Sequence, residues 1–471
     1  MRRTKIICTI GPSCDDERHL LGLVENGMNV ARMNMSHGTH ADHAKRIALI
    51  RRHAREKGKV VPLLFDIQGP KIRIGMLRGG RVVLRENETV TLTGEAGVEG
   101  TERLIPVDFP DFHKFLAPGQ RVFLADGMLE LRVEKIGGGK AECSVILGGE
   151  LTSRKGVNIP GADIPLPCLS GKDRKDVEFA CKNGADFIGL SFVREAKDVR
   201  ELRKLIEKHG GNAAIVAKIE NSAAYANIDA IIAEADGVMV ARGDLGVQLP
   251  SEDIPLVQKS IVAKCNREAK PVIIATQMLE TMTHAPQPTR AEVSDVANAV
   301  LDGADALMLS GETATGRHPV RVVEAMDRII RKAEATLLHY ERMKEFEAES
   351  KLEMSHSIAK SVCYTARDLR ANAIVCYTHR GNTARFISMY RPFTPIIAAT
   401  DDESLTRRLE LVWGVNPVLI DKPRNTEDLI EKAVKKAEEL HLVGREDRVV
   451  IAGSTPVGGA GPTNFIKVHI V

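Results

Sequence analysis

Between residues 4 and 312 the chain carries eight short apolar runs of strand type, most of them separated by stretches long enough for a helix. The runs are Thr4–Ile10, Val30–Ser36, Val61–Ile67, Asp186–Phe192, Ile215–Glu220, Val238–Leu245, Val272–Gln277 and Ala306–Glu312. Segments such as His40–Lys57, Val199–His209, Leu256–Ala269 and Glu292–Leu301 suit the covering helices. Near-continuous apolar strands belong to parallel sheets covered on both faces, and eight β/α repeats are the number that closes a (β/α)8 barrel.

The C-terminal strand ends of such a barrel form its active-site face. Here they carry Arg32, Asn34 and Ser36; Asp66; Lys218 and Glu220; Arg242 and Asp244; Thr276 and Gln277; Ser310 and Glu312. One polar strand end is common; six converging ones are hard to explain by stability alone. Two of them end in Lys218-Ile219-Glu220 and Arg242-Gly243-Asp244. Alternate residues on a strand share a face, so each carboxylate is expected beside a cation. An acidic residue from each of two strands, with cations alongside, suits a divalent ion and a phosphorylated ligand. For either run alone, a structural salt bridge explains the pattern equally well.

After the third run the barrel pattern is interrupted. Residues 71–168 turn to alternating runs (Arg81–Glu86, Thr89–Leu92, Arg121–Leu124, Leu129–Lys135, Ala141–Leu147) punctuated by Gly79-Gly80 and Gly137-Gly138-Gly139. This predicts an inserted all-β lid domain, a small β-barrel placed to close over the active-site face. The catalytic barrel is then residues 1–70 and 169–342. Residues 343–471 read as a C-terminal α/β sheet domain, entered through a charged stretch, Met343–Glu353, expected to be a solvated helix face.

Composition narrows the function. With 66 basic and 63 acidic residues the net charge is +3, which gives no reason to expect nucleic acid or an anionic membrane. Aromatic content of 4% with a single Trp also argues against a base-stacking surface. No apolar stretch approaches a membrane span, and Met1-Arg2-Arg3-Thr4 leads into a strand rather than a signal peptide. Eight scattered cysteines without a C-x-x-C pair indicate small core residues in a reducing cytoplasm.

The motifs Val30–Gly38 (VARMNMSHG), Val216–Asn221, Val240–Val247, Ala275–Leu279 with Pro288–Glu292 (PTRAE), and Met308–Thr313 closely resemble those of the pyruvate kinase family, in the same order and over essentially the whole chain. The resemblance implies phosphoryl transfer from phosphoenolpyruvate to ADP, giving pyruvate and ATP as the final step of glycolysis. It implies that Glu220 and Asp244 hold Mg²⁺, with Mn²⁺ as a substitute, and that Lys218 neutralises the phosphoryl group in flight. Arg32, Lys218, Gly243, Asp244 and Thr276 then hold the substrate, with Lys218, Thr276 and Arg32 acting in catalysis. Thr276 is a weak acid, so its proton is expected to pass through water and neighbours such as Ser310 or Glu312. Asn34, Met35, Ser36, His37, Arg73 and Lys155 match the family's ADP/ATP contacts.

One departure from the family pattern matters. Potassium-requiring members read Asp-Thr-Lys-Gly-Pro-Glu-Ile-Arg after the third strand; this chain reads Asp66-Ile67-Gln68-Gly69-Pro70-Lys71-Ile72-Arg73. The family K⁺ position falls on Asn34, Ser36, Asp66 and the Ile67 carbonyl, and Lys71 is expected to place a tethered ammonium there, removing the K⁺ requirement. In the C-terminal domain Thr378, His379, Arg380, Gly381, Asn382 and Thr383, with Arg385 following, form a strand-to-helix turn of phosphate-binding type. The resemblance implies a phosphorylated allosteric effector there, and a homotetramer. A divalent-ion lyase acting on pyruvate-like enolates, and a non-catalytic nucleotide sensor, are the rival readings; Arg73 and Lys155 count against the first, and the presence of Lys218, Glu220, Asp244 and Thr276 against the second.

Overall fold

A computed structural model describes residues 2–162, 164, 166–336, 354–456 and 461–471; the charged stretch Met343–Glu353 lies outside them. The eight predicted runs form one closed parallel barrel, whose strands are Lys5–Thr9, Val30–Asn34, Leu63–Asp66, Phe187–Leu190, Ala214–Ile219, Gly237–Ala241, Val272–Ala275 and Ala306–Leu309. The first strand closes on the eighth, Lys5 opposite Ala306. Alternation along the strands separates two cores. Ile7, Val30, Leu64, Phe187, Val216, Met239, Ile273 and Met308 share the inner cluster, whereas Ile6, Ala31, Leu63, Ile188, Ile215 and Val238 pack outward with the helices. Because the side-chain period is two, Thr9, Arg32, Asp66 and Lys218 stand above that inner cluster, at the top of the barrel.

The floor repeats a single device. The residues preceding strands two, four, six and eight are Asn29, Asp186, Asp236 and Asp305. Each accepts a backbone N–H from the first or second residue of a neighbouring strand: from Ile6 at 3.1 Å, Leu63 at 2.9 Å, Ile215 at 2.8 Å and Val272 at 3.0 Å. Each donor precedes by one residue the first register pair between the two strands, and the side chain supplies it with an acceptor. The C-terminal domain docks on the same groups, Arg407 on Asp186 at 2.6 Å and Arg391 on Asp305 at 3.0 Å, while Leu411 packs into the barrel's inner cluster.

The insertion is all-β, as expected, with its own core around Phe112, Ile105 and Leu131. Its strands do not close into a barrel: they form a six-stranded sheet and a separate pair, Arg81–Leu84 with Gly149–Thr152. Gly148 lets the chain turn out of the larger sheet, since a Cβ there would meet the Leu84 carbonyl oxygen at 2.5 Å. The C-terminal domain is a five-stranded sheet ordered Val415–Leu419, Ile396–Thr400, Ala373–Tyr377, Arg448–Gly453, Phe465–Ile470, antiparallel only at the last pair. No helix among the described residues is long and apolar enough to cross a membrane.

Candidate active site

Asp66, at the end of the third strand, anchors the barrel mouth. It is 2% exposed and takes Arg32 Nε at 2.8 Å and Lys218 Nζ at 3.1 Å. Burial alone would raise its pKa; Lys218 and then Arg32 outweigh that and hold the carboxyl below its ordinary value. Lys218 Nζ also reaches Glu220 at 2.9 Å and the Ser191 hydroxyl at 2.7 Å. Burial pushes this ammonium down, but Asp66 and Glu220 more than reverse it, so Lys218 stays protonated. Arg32 is steadied on its far side by Thr9 Oγ1 at 2.8 Å.

Glu220 lies one residue beyond the fifth strand, nearly inaccessible, and accepts the Phe192 N–H at 2.6 Å. Its pKa is pushed up to about 7, first by burial and then by Asp244, with Lys218 opposing. Two carboxylates that resist joint ionisation are the donor set a divalent cation relieves. Among the described residues no group of three or more His, Cys, Asp or Glu is placed to hold a metal. A pair of carboxylates completed by substrate oxygens is the usual way Mg²⁺ is bound, and Glu220 with Asp244 fits it.

The second charged strand end differs from expectation. The sixth strand stops at Ala241, and Arg242–Gln248 is a short helix, so Arg242 and Asp244 do not share a strand face. Helical turning aims them apart. Arg242 leaves the mouth to pair with Asp295 at 2.7 and 2.8 Å and to cap the Thr276 carbonyl at 2.8 Å, while Asp244 faces Glu220 and Lys71. Thr276 has left-handed backbone, φ 70°; its hydroxyl accepts the Gly243 N–H at 2.9 Å and donates to the Ala275 carbonyl at 2.7 Å. Glu312 is fully buried and its two oxygens accept the backbone N–H groups of Leu279 and Ser310.

Lys71 is also placed differently from the expected K⁺ position. Its ammonium lies 2.8 Å from Asp126, in a turn of the lid, and 3.8 Å from Asp244. The physical reason is charge balance: Asp66 already holds two cations, whereas Asp244 and Asp126 offer negative charge nearby. Gly156 leaves room for the lysine stem, since a Cβ there would stand 2.5 Å from its Cε. Other oxygens of that position are engaged as well. Asn34 Oδ1 accepts the Ser36 N–H at 3.1 Å and the Ile67 carbonyl accepts the Ser191 hydroxyl at 2.7 Å.

Among the residues expected to meet a nucleotide, Asn34 ends the second strand and leads into a turn to Gly38, with Met35 buried and Ser36 and His37 exposed. His43 fixes the loop by donating from Nε2 to the His37 carbonyl at 2.9 Å; burial lowers its pKa and favours the neutral ring. Arg73 and Lys155, distant in sequence, come together at the lid base: Arg73 bridges Gly156, its guanidinium donates to the Arg154 carbonyl at 3.0 Å, and Lys155 is exposed. In the C-terminal domain the Thr378 hydroxyl accepts the Gly381 N–H at 2.9 Å and Gly381 has φ 86°, opening helix Asn382–Met389. His379, Arg380 and Asn382 are exposed there, while Thr383 is buried against Thr463. Arg385 is half-buried, with Asp236 of the barrel floor the first charge acting on it after burial itself.

Sequence reasoning missed Ser191, Thr9 and Asp126. Ser191 sits at the end of the fourth run, the same kind of position as the ends singled out. Asp126 belongs to a lid turn whose approach to the barrel no local pattern reveals.

A closed (β/α)8 barrel whose mouth gathers buried carboxylates and cations beneath an inserted domain defines an enzyme that handles an anionic substrate. Comparison with known proteins is specific. Residues 1–323 match the family model "Pyruvate kinase, barrel domain" and residues 356–469 match "Pyruvate kinase, alpha/beta domain". Pyruvate kinases of Geobacillus stearothermophilus and Sporosarcina psychrophila are 45% and 44% identical over the whole of this chain and 80% and 81% of their own lengths. That of Clostridium acetobutylicum is 41% identical over the full length of both. The crystal structure of a pyruvate kinase from Cryptosporidium parvum superposes with a TM-score of 0.95 at 38% identity, covering 100% of this chain and 96% of the other. The chain belongs to the pyruvate kinase family of phosphotransferases.

Proposed function

We propose that the chain transfers the phosphoryl group of phosphoenolpyruvate to ADP, producing pyruvate and ATP, with Mg²⁺ or Mn²⁺ held by Glu220 and Asp244 and without a K⁺ requirement. The observation that carries this reading is the buried ammonium of Lys218, held by Asp66, Glu220 and Ser191 beside the carboxylate pair. A fixed cation there meets the charge of a phosphoryl group between donor and acceptor oxygens and costs no reorganisation during the reaction. The divalent ion, when bound, supplies further charge neutralisation and orients the transferred group.

Arg32, fixed by Asp66 and Thr9, and the Gly243 backbone hold phosphoenolpyruvate, with Thr276, whose hydroxyl takes the Gly243 N–H, at the carbon that is protonated. Glu312 is committed to backbone donors, so the proton reaches the enolate through water near Thr276 and Ser310. Asn34–His37, Arg73 and Lys155 receive the nucleotide phosphates, and movement of the lid excludes water from them. K⁺ independence is supported by the Lys71 ammonium beside Asp244, and by the donors already engaged at Asn34, Asp66 and the Ile67 carbonyl. The turn at Thr378–Thr383, exposed at His379, Arg380 and Asn382, takes a phosphorylated effector, and the active form is a cytoplasmic homotetramer with barrel, lid and C-terminal units bounded near residues 70, 168 and 342.

A coupled assay tests the central reading: phosphoenolpyruvate and Mg²⁺ in K⁺-free buffer, with and without ADP. ADP-dependent pyruvate is the expected product. Product formed without ADP favours a lyase, and no pyruvate under either condition overturns the reading. Repeating the assay with sugar phosphates and nucleotides identifies the effector, and ultracentrifugation reads the oligomeric state.

A further inference from the structure

We infer that Lys172, with Asp176 behind it, is a positioning residue that holds the nucleotide loop and ties it to both stems of the lid; this rests on the reading that Asn34–His37 meets the nucleotide. Several bonds around the loop come from its own neighbourhood. The Met35 N–H donates to the Asp66 carbonyl at 3.0 Å, the His37 N–H donates to the Asn34 carbonyl at 3.3 Å, and His43 supports the His37 carbonyl. The Met35 carbonyl is held from elsewhere in the chain: it accepts from Lys172 Nζ at 2.5 Å.

Lys172 is itself held. Its ammonium lies 2.6 Å from Asp176 Oδ2, and Asp176 Oδ1 meets His40 Nε2 at 2.7 Å. Asp176 is 3% exposed, and the His40 ring stacks on Phe179 at 4.2 Å. A buried carboxylate with two partners fixes the lysine far more firmly than an exposed pair one helical turn apart would.

The placement of this helix gives the contact its consequence. Helix Gly171–Lys182 begins where the chain returns from the insertion, and its capping box joins Ser170 to Asp173. Asp173 Oδ1 also accepts the Gly69 N–H at 3.0 Å, on the strand-to-lid connection where the chain leaves the barrel. One turn of helix therefore grips the outgoing stem, the returning stem and the nucleotide loop. Displacement of the loop by a bound polyphosphate is carried by Lys172 to the point about which the lid swings.

The test compares Lys172→Met and Lys172→Arg with the full-length wild type. Steady-state kinetics give the KM for ADP and for phosphoenolpyruvate, equilibrium dialysis gives the dissociation constant of Mg·ADP, and a thermal melt checks the fold. Loss of one charge-assisted bond to the loop corresponds to about tenfold in affinity. Lys172→Met is expected to weaken ADP by about that factor in both KM and dialysis, with the phosphoenolpyruvate KM and melting temperature little changed, and Lys172→Arg recovers most of the loss. ADP binding unchanged in Lys172→Met overturns the inference, as does a parallel loss for both substrates accompanied by a lower melting temperature. Dialysis separates this inference from the assigned reaction. If the wild type binds ADP without forming pyruvate, the reaction is wrong while the loop contact is still read by the variants; a wild type that binds no ADP overturns both.

Discussion

Reversing the charge of Lys71 isolates the electrostatics of the site mouth. The ammonium stands 3.8 Å from Asp244 and 2.8 Å from Asp126, with side-chain exposures of 18% for Lys71 and 30% for Asp244. At that first separation a unit charge interacts by about 4 kcal/mol at an effective dielectric constant of 20, and partial exposure brings this to about 1–2 kcal/mol. Lys71→Glu changes the local charge by two units, so the mouth loses about 2–4 kcal/mol, or about 30- to 700-fold in the stability of the charged substrate complex. A monovalent cation recruited to the new carboxylate offsets the loss. The assay is kcat/KM for phosphoenolpyruvate in tetramethylammonium buffer, with and without saturating KCl. Wild type is expected to change less than about twofold on adding K⁺, whereas Lys71→Glu falls by the stated factor without it and regains at least about tenfold with it. A wild type that is inactive without K⁺, or a Lys71→Glu variant fully active in its absence, refutes the reasoning.

Three further outcomes follow from the same geometry. Lys218→Met is expected to lower kcat by about 10²–10³ while the KM for phosphoenolpyruvate moves only a few-fold; a kcat within about tenfold of wild type removes Lys218 from the chemistry. Glu220 is raised from the usual carboxylate value of 4.5 to about 7, so its contribution to the metal-free fold is fully present below 4.5 and is lost as pH rises through about 7. Mg²⁺ needs the ionised form, so the stabilisation it gives in a thermal melt grows from pH 6 to pH 8; equal stabilisation at both refutes the assignment. Arg391→Ala strips Asp305 of its buried partner at the barrel floor and is expected to cost about 3–5 kcal/mol in urea unfolding, with a cost below about 1 kcal/mol showing that the docking of the C-terminal domain does not depend on the pair.

The barrel was legible because its signal is local. Each strand announces itself by a short apolar run, and eight of them between suitable helices leave little choice of architecture. The run Ile215–Glu220 even placed Lys218 and Glu220 correctly beside each other, because the strand continues almost to Glu220. The run Val238–Leu245 misled, because Gly237–Ala241 passes directly into a helix and the change from a period of two to one of 3.6 swung Arg242 towards Asp295. The lid was legible as β structure but not as an open sheet, since alternation records which face is buried and not which strands pair.

The amino-acid sequence by itself determined the order of the elements, the polar strand ends at one face of the barrel, and membership of a family through motifs that span the chain. Tertiary structure decided what each charge faces. Asp66 became an anchor because Arg32 and Lys218 arrive from two other strands, and Lys71 turned to Asp126 and Asp244 because that anchor was already neutralised. Strand propensity acts over a few neighbouring residues and is written in their order. Charge pairing in a buried mouth depends on distances of about 3–4 Å between groups far apart in the chain, and those distances exist only once the barrel closes.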